Sequence, residues 1–258
     1  MADEPAREEQ LQADERWDME ASTDDAVQPY RVSWWLRLRR RSLQILFRGV
    51  FHLLCKVKVV GIENVPPEGP YLLALNHISL FDPPLVLSFW PYLPEALGAS
   101  DLIDRPGISM LMRSYQGIPV HRGQYDRKVI DTALRVLAAG NGLLIAPEGG
   151  RSHDIGMRQA NPGIAYLVEK TGVPIVPVGA VGTTDDMLKR ALRLERPHVE
   201  MRVGELFHLP PIEGVGKERR EARQRNADTV MLKIAELLPE EYHGYYAGQV
   251  TGWPQEGR

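Results

Sequence analysis

Past Gly61 the chain repeats one pattern: a short apolar run closed by Gly, Pro or Asn, then a longer amphipathic stretch. This alternation restricts the fold more than any other feature. The runs at 71–75, 117–120, 143–146 and 173–178 are too short for ordinary helices and lack an alternating polar face, as strands covered on both sides of a parallel sheet do. Between them, 82–89, 124–139 and 163–170 read as helices. Further strands at 56–60 and 199–203 and a last helix at 218–238 extend the series. The expectation is an α/β fold, a mostly parallel sheet sandwiched by helices. The helix at 82 opens Asp-Pro-Pro, which predicts Asp82 as its N-cap and Pro83 at the first helical position, where a missing N–H costs nothing.

The N-terminal part differs in charge. Residues 1–28 hold ten acidic side chains against Arg7 and Arg16 and few large apolar groups, the composition of a disordered acidic tail. From 26 to 62 there is no Asp or Glu at all. Within that span, Arg37, Arg40, Arg41, Gln44 and Arg48 fall on one helical stripe, and Trp34, Trp35, Leu38, Leu43, Ile45, Leu46, Phe47, Val50, Leu53 and Leu54 fill most of the rest. Two readings follow: an amphipathic helical anchor on a membrane surface, its arginines in the water layer, or a helix packed on the core. The acid-free stretch favours the anchor, since an ordinary surface helix mixes both signs. The organisation expected is a tail at 1–28, a membrane-surface segment at 29–55, an α/β domain at 56–240 and a C-terminal tail at 241–258.

No window reaches the roughly 18 uninterrupted apolar residues of a spanning helix, and the N-terminus lacks the basic-then-apolar order of a secretory signal. Cys55 is the only cysteine, so no intramolecular disulfide forms. The expected location is the cytoplasmic face of a membrane, peripheral or monotopic. A formal net charge of −3 gives no reason to expect a nucleic-acid partner.

Four segments carry candidate chemistry. In YLLALNHISLFDPP an apolar strand ends and His77 and Asp82 bracket the following turn. A spacing of five separates two side chains on a regular helix, so the pair meets only across an irregular turn. If they meet, the carboxylate fixes the tautomer of the imidazole, whose other nitrogen takes a proton from a hydroxyl. In YQGIPVHRG a strand ends in Arg122, on the side of the sheet where α/β proteins bind ligands. In GLLIAPEGGRS two glycines and Arg151 suit an anion, but the Gly-Lys-Ser/Thr ending of a nucleotide P-loop is missing. In GVPIVPVGAVGT, Val173, Pro174, Ile175, Val176 and Pro177 form a buried strand, for core or edge packing or against the acyl chain of a substrate. No His/Cys/Asp cluster has metal-ligand spacing, so neither metal nor cofactor is expected.

In this order, NHISLFD, GIPVHRG, PEGGRS and VPIVPV resemble the four blocks of the glycerolipid acyltransferase family, the PlsC-type lysophosphatidic acid acyltransferases. The resemblance spans about residues 56 to 182. It implies transfer of a fatty acyl chain from acyl-CoA or acyl carrier protein to a hydroxyl of lysophosphatidic acid. Glycerol 3-phosphate or another lysophospholipid is the alternative acceptor. His77 would be the general base and Asp82 its orienting partner. Arg122 and Arg151 would hold the acceptor phosphate, and Glu148 and Gly149 would complete that site through the acceptor or the neighbouring loop. Gly150 departs from the family, which has Thr or Ser there.

A thioester is already activated, so a base, a positioned hydroxyl and donors to the oxyanion suffice without a covalent intermediate. Ser79 is the rival nucleophile, but no Gly-x-Ser-x-Gly elbow surrounds it. Two other classes stay open at this level: a phosphoesterase using His77 and Asp82, and a non-enzymatic peripheral lipid-binding protein.

Overall fold

The computed structural model describes residues 29–99, 108–120, 127–152, 154–184 and 186–250. The 1–28 tail, Arg122 and residues 251–258 lie outside them. Helix α1 (Trp34–Leu54) is followed by β1 (Lys56–Val60), β2 (Leu72–Leu75), α2 (Asp82–Phe89), β3 (Glu95–Ala99) and α3 (Ile108–Tyr115). After these come β4 (Ile118–Val120), α4 (Arg127–Ala138), β5 (Leu143–Ile145), α5 (Gly163–Thr171) and β6 (Ile175–Val181). The series closes with α6 (Met187–Leu192), β7 (His198–Val203) and α7 (Gly216–Ala235).

The seven strands form one sheet in the order β1-β7-β6-β2-β5-β3-β4. Every pairing is parallel except that of β6 with β7, which follows it and returns antiparallel beside it. The mostly parallel α/β expectation therefore holds. Because side chains alternate along a strand, β2 feeds both layers. Leu72 and Ala74 pack with α4, α5 and α7, whereas Leu73 and Leu75 pack with Phe51 of α1, with Leu85 and Val86 of α2 and with Met187 and Ala191 of α6.

Three elements escape the apolar pattern: β3, α3 and α6. The end of the chain differs as well. Where a tail was expected from 241, Tyr242, His243 and Tyr246 are buried, and the Tyr246 hydroxyl accepts from Ala160 N and donates to Asp228.

Helix α1 begins at Ser33, whose hydroxyl accepts from Leu36 N at 3.2 Å. Its orientation reverses the expectation for the arginines. Arg40, only 1% exposed, donates from two nitrogens to the two oxygens of Glu95 on β3 and from Nε to Tyr115 O at 2.7 Å. Gln44 is buried against the carbonyls of Leu87 and Trp90, and Arg48 reaches Ser88 O. The centre of the stripe, Arg40 and Gln44, is buried because each donor finds a carboxylate or carbonyl, which offsets the penalty of desolvating it. Arg37 and Arg41 at its margin stay exposed. Trp34, Trp35, Leu38, Ile45, Leu46 and Leu53 face outward, each more than half exposed. No helix among the described residues is long and apolar enough to cross a membrane.

Candidate active site

The strands on either side of β2 are β6 and β5, and the three run parallel, so their carboxyl ends lie side by side. The NHISLFD and PEGGRS blocks leave the ends of β2 and β5, and the segment from Gly182 leaves the end of β6, the strand that the VPIVPV block opens. Topology thus gathers what the sequence spaces far apart, at the end of the sheet where α/β folds place ligands. Strand β4, which leads to Arg122, is separated from β2 by β5 and β3.

Asn76, fully buried, carries the β2–β6 pairing one step beyond the strand. Its side-chain oxygen accepts from Ala180 N at 2.7 Å and its amide donates to Ala180 O at 3.1 Å. This fixes where the chain leaves the sheet. The next residue, His77, is held through its backbone by the loop after β5. His77 N donates to Glu148 Oε1 at 2.7 Å, and His77 O accepts from Ser152 N at 2.8 Å.

Asp82 is fully buried. It is the first residue of α2 and caps nothing there; Phe81, with helical φ and ψ, stands in the N-cap position and Pro83 lies one place further in than expected. The carboxylate turns back instead onto the preceding loop. Its Oδ2 accepts from Ile78 N at 2.8 Å and Ser79 N at 2.7 Å, and lies 3.1 Å from His77 Nδ1. Its Oδ1 accepts the hydroxyl of Thr183. A buried carboxylate held by three donors beside the imidazole is a fixed acceptor, so Nδ1 carries the proton and Nε2 is the basic nitrogen. The expected meeting of His77 and Asp82 across an irregular turn is what the structure shows.

The other residues are distributed as follows. Glu148 is buried with both oxygens accepting backbone N–H groups of neighbouring loops, that of His77 at 2.7 Å and that of Arg158 at 2.8 Å. Burial pushes its carboxyl up to about 7, against the pull of those two donors. Gly149, whose N–H donates to Ala146 O at 3.0 Å, has φ +69°, left-handed backbone that glycine adopts at little cost. Arg151 is half-buried beside Ser152. Ile175 and Val176 face opposite core layers in a central strand, which corrects the edge alternative. Ser79 Oγ accepts from Phe81 N at 3.3 Å, within the loop between β2 and α2. Among the described residues, no group of three or more His, Cys, Asp or Glu could hold a metal.

Two residues of this arrangement have no counterpart in the sequence expectations: Asn76 in its bridging role, and Thr183. Gly182, with φ +82° and no room for a Cβ, which would run into His198 O, delivers Thr183 to Asp82, and Gly182 N donates to the Tyr242 hydroxyl. The double glycine-threonine signal in GAVGTTDD was visible. Its target, 101 residues earlier, was not.

The family model for the acyltransferase domain matches residues 56–181. A 1-acyl-sn-glycerol-3-phosphate acyltransferase of Chlamydomonas reinhardtii is 28% identical over 197 residues, covering 72% of this chain and 58% of the relative. One from Bacillus subtilis is 22% identical over 184 residues, covering 70% of this chain and 88% of the relative. The crystal structure of a 1-acyl-sn-glycerophosphate acyltransferase, PlsC, from Thermotoga maritima aligns with TM-score 0.54 at 24% identity, over 74% of this chain and 78% of that one; the likeness is one of fold. The chain spans a little over half the length of the first relatives, 58% for the algal protein and 56% for one from Borreliella burgdorferi. With the domain match, the relatives, and the NHISLFD and PEGGRS blocks meeting at one sheet end, residues 56–181 are an acyltransferase domain of the glycerolipid type.

Proposed function

We propose that this protein is a 1-acylglycerol-3-phosphate O-acyltransferase that works at a membrane surface, taking its acyl group from acyl-CoA or acyl carrier protein. The observation that carries the reading is the contact of His77 Nδ1 with the buried carboxylate of Asp82, which leaves Nε2 as the base. Nε2 takes the proton of the acceptor hydroxyl as its oxygen attacks the thioester carbonyl. The tetrahedral oxyanion then collapses, the C–S bond breaks, and the imidazolium returns the proton to the departing thiolate. Asp82 stabilises the imidazolium between these two transfers. A positioned general base of this kind contributes about 10²–10⁴-fold.

Arg151 and Arg122 are assigned to the acceptor phosphate, where a planar guanidinium suits the oxygens. Lysophosphatidic acid as the acceptor is supported by the relatives, which are 1-acyl-sn-glycerol-3-phosphate acyltransferases. The outward apolar face of α1 is assigned to the bilayer, with Arg37 and Arg41 at its margin near anionic headgroups, each worth on the order of 1 kcal/mol. An apolar strip left in water while the polar stripe is buried is the inverse of an ordinary surface helix, and lipid accounts for it.

The test supplies an acyl-CoA, a lysophosphatidic acid and a thiol reagent. Acceptor-dependent release of free thiol supports the reading; binding of both lipids with no thiol released, using either acyl-CoA or acyl carrier protein, would remove it.

A further inference from the structure

The segment that brings Thr183 to Asp82 runs within four positions into α6 (Met187–Leu192). Met187 and Ala191 face the core. Leu188 and Leu192, also four apart, face outward, and Leu192 is 68% exposed. Leu194 is 75% exposed and adopts φ +62°. A bulky side chain is costly in that left-handed backbone, where Gly or Asn is preferred. Neither folding nor solubility explains a strained, exposed leucine.

Lys189, Arg190, Arg193 and Arg196 surround these leucines. Arg190 is engaged by Asp186 and Glu195. Arg196 donates to His52 O at 3.0 Å, which fixes the turn against the carboxyl end of α1, near Leu53 at 71% exposure. The turn after α6 therefore adjoins the carboxyl end of α1, where Leu53 is exposed.

We propose that α6 and the 193–196 turn form a second membrane-contacting element, which places Leu192 and Leu194 in an anionic bilayer with Lys189 and Arg193 among its headgroups. The inference rests on the membrane reading of α1 and extends it to the element adjoining the candidate dyad. A bilayer fits better than a second copy of the chain, because apposed copies would bring like charges together. The consequence is that the lipid surface meets the protein at the end of β6, where Thr183 holds Asp82.

Two measurements test this. The first is Leu194→Asn, a residue that tolerates the left-handed backbone. The thermal midpoint should stay level or rise, while affinity for phosphatidylglycerol vesicles falls about tenfold. A structural leucine would give the opposite pattern, and parental vesicle binding would overturn the proposal.

The second attaches an environment-sensitive dye at Leu194→Cys or Leu46→Cys in a Cys55→Ala protein. Blue shifts at both sites on vesicles support the proposal. A shift at Leu46 alone overturns it and leaves the α1 reading standing. No shift at either overturns both.

Discussion

Thr183 donates its hydroxyl to the one oxygen of Asp82 that His77 does not touch. The bond joins the end of β6 to the start of α2 and leaves the carboxylate little freedom to rotate. Thr183→Val keeps the shape and removes the donor. We expect kcat to fall about tenfold, the worth of roughly one charge-assisted hydrogen bond, with KM for both substrates little changed. Thr183→Ser should recover most of the rate. A loss in KM alone would assign Thr183 to substrate binding instead.

His77→Ala and Asp82→Ala should each remove nearly all transfer without unfolding the chain, and the double variant should be little worse than either, because base and orienter act as a unit. Asp82→Asn should also be poor, since an amide presents a donor where Oδ2 now accepts from two backbone N–H groups. Steady-state rates with circular dichroism as the folding control decide the matter. Parental turnover in folded His77→Ala would sink the mechanism.

For the acceptor, Arg151→Ala and Arg122→Ala should each raise KM for phosphate-bearing acceptors about ten- to a hundredfold and leave KM for the thioester near parental. Lys should restore part of the loss, a point charge in place of a fork. Initial-rate kinetics with both substrates varied separate the two effects.

Glu148 gives a pH dependence of stability. Its carboxyl is pushed up to about 7 in the folded chain from 4.5. Between those values the folded chain holds a proton that the unfolded chain has released. The contribution is fully present below 4.5 and is lost as pH rises through 7, so at higher pH the buried charge works against folding. Glu148→Gln never carries that charge. Relative to the parent, the variant should therefore gain stability between pH 5 and pH 8, on the order of 3 kcal/mol, even though its amide faces a backbone donor. Urea unfolding of both proteins at the two pH values measures this, and a pH-independent difference would contradict it.

Much of the fold was legible: the apolar central strands β2, β5 and β6 differ from expectation only at their ends, as does β7, while β1 and α2 match their ranges. Two of the failures, β3 and the orientation of α1, have a common cause. Strand β3 carries Glu95, a charge that breaks an apolar run, and α1 carries Arg40, a charge that looks solvated. Each makes sense only beside the other, and they lie 55 residues apart. Single-residue patterns register burial through apolarity, so a neutralised pair is invisible to them. The dyad was legible because its partners sit within one turn of chain. Thr183, reached only through the folding of the sheet, was not.

Separating the Arg40–Glu95 pair should be severe. Glu95→Leu or Arg40→Met leaves a buried partner unpaired at a cost of about 3–5 kcal/mol, whereas the double variant Arg40→Met/Glu95→Leu should be less destabilised than the sum of its parts. Denaturant unfolding of the four proteins gives the coupling directly, and strict additivity would show that the pair does not couple.

That pair also governs which changes the chain can survive over time. A substitution at either position strands a charge in the interior, so a lineage cannot pass through the single changes freely, and positions 40 and 95 are expected to vary together. The outward leucines and tryptophans of α1 carry no such bond and are free to exchange among apolar residues one at a time. One helix thus evolves under two regimes, a paired constraint on its inner side and a merely compositional one on its outer side.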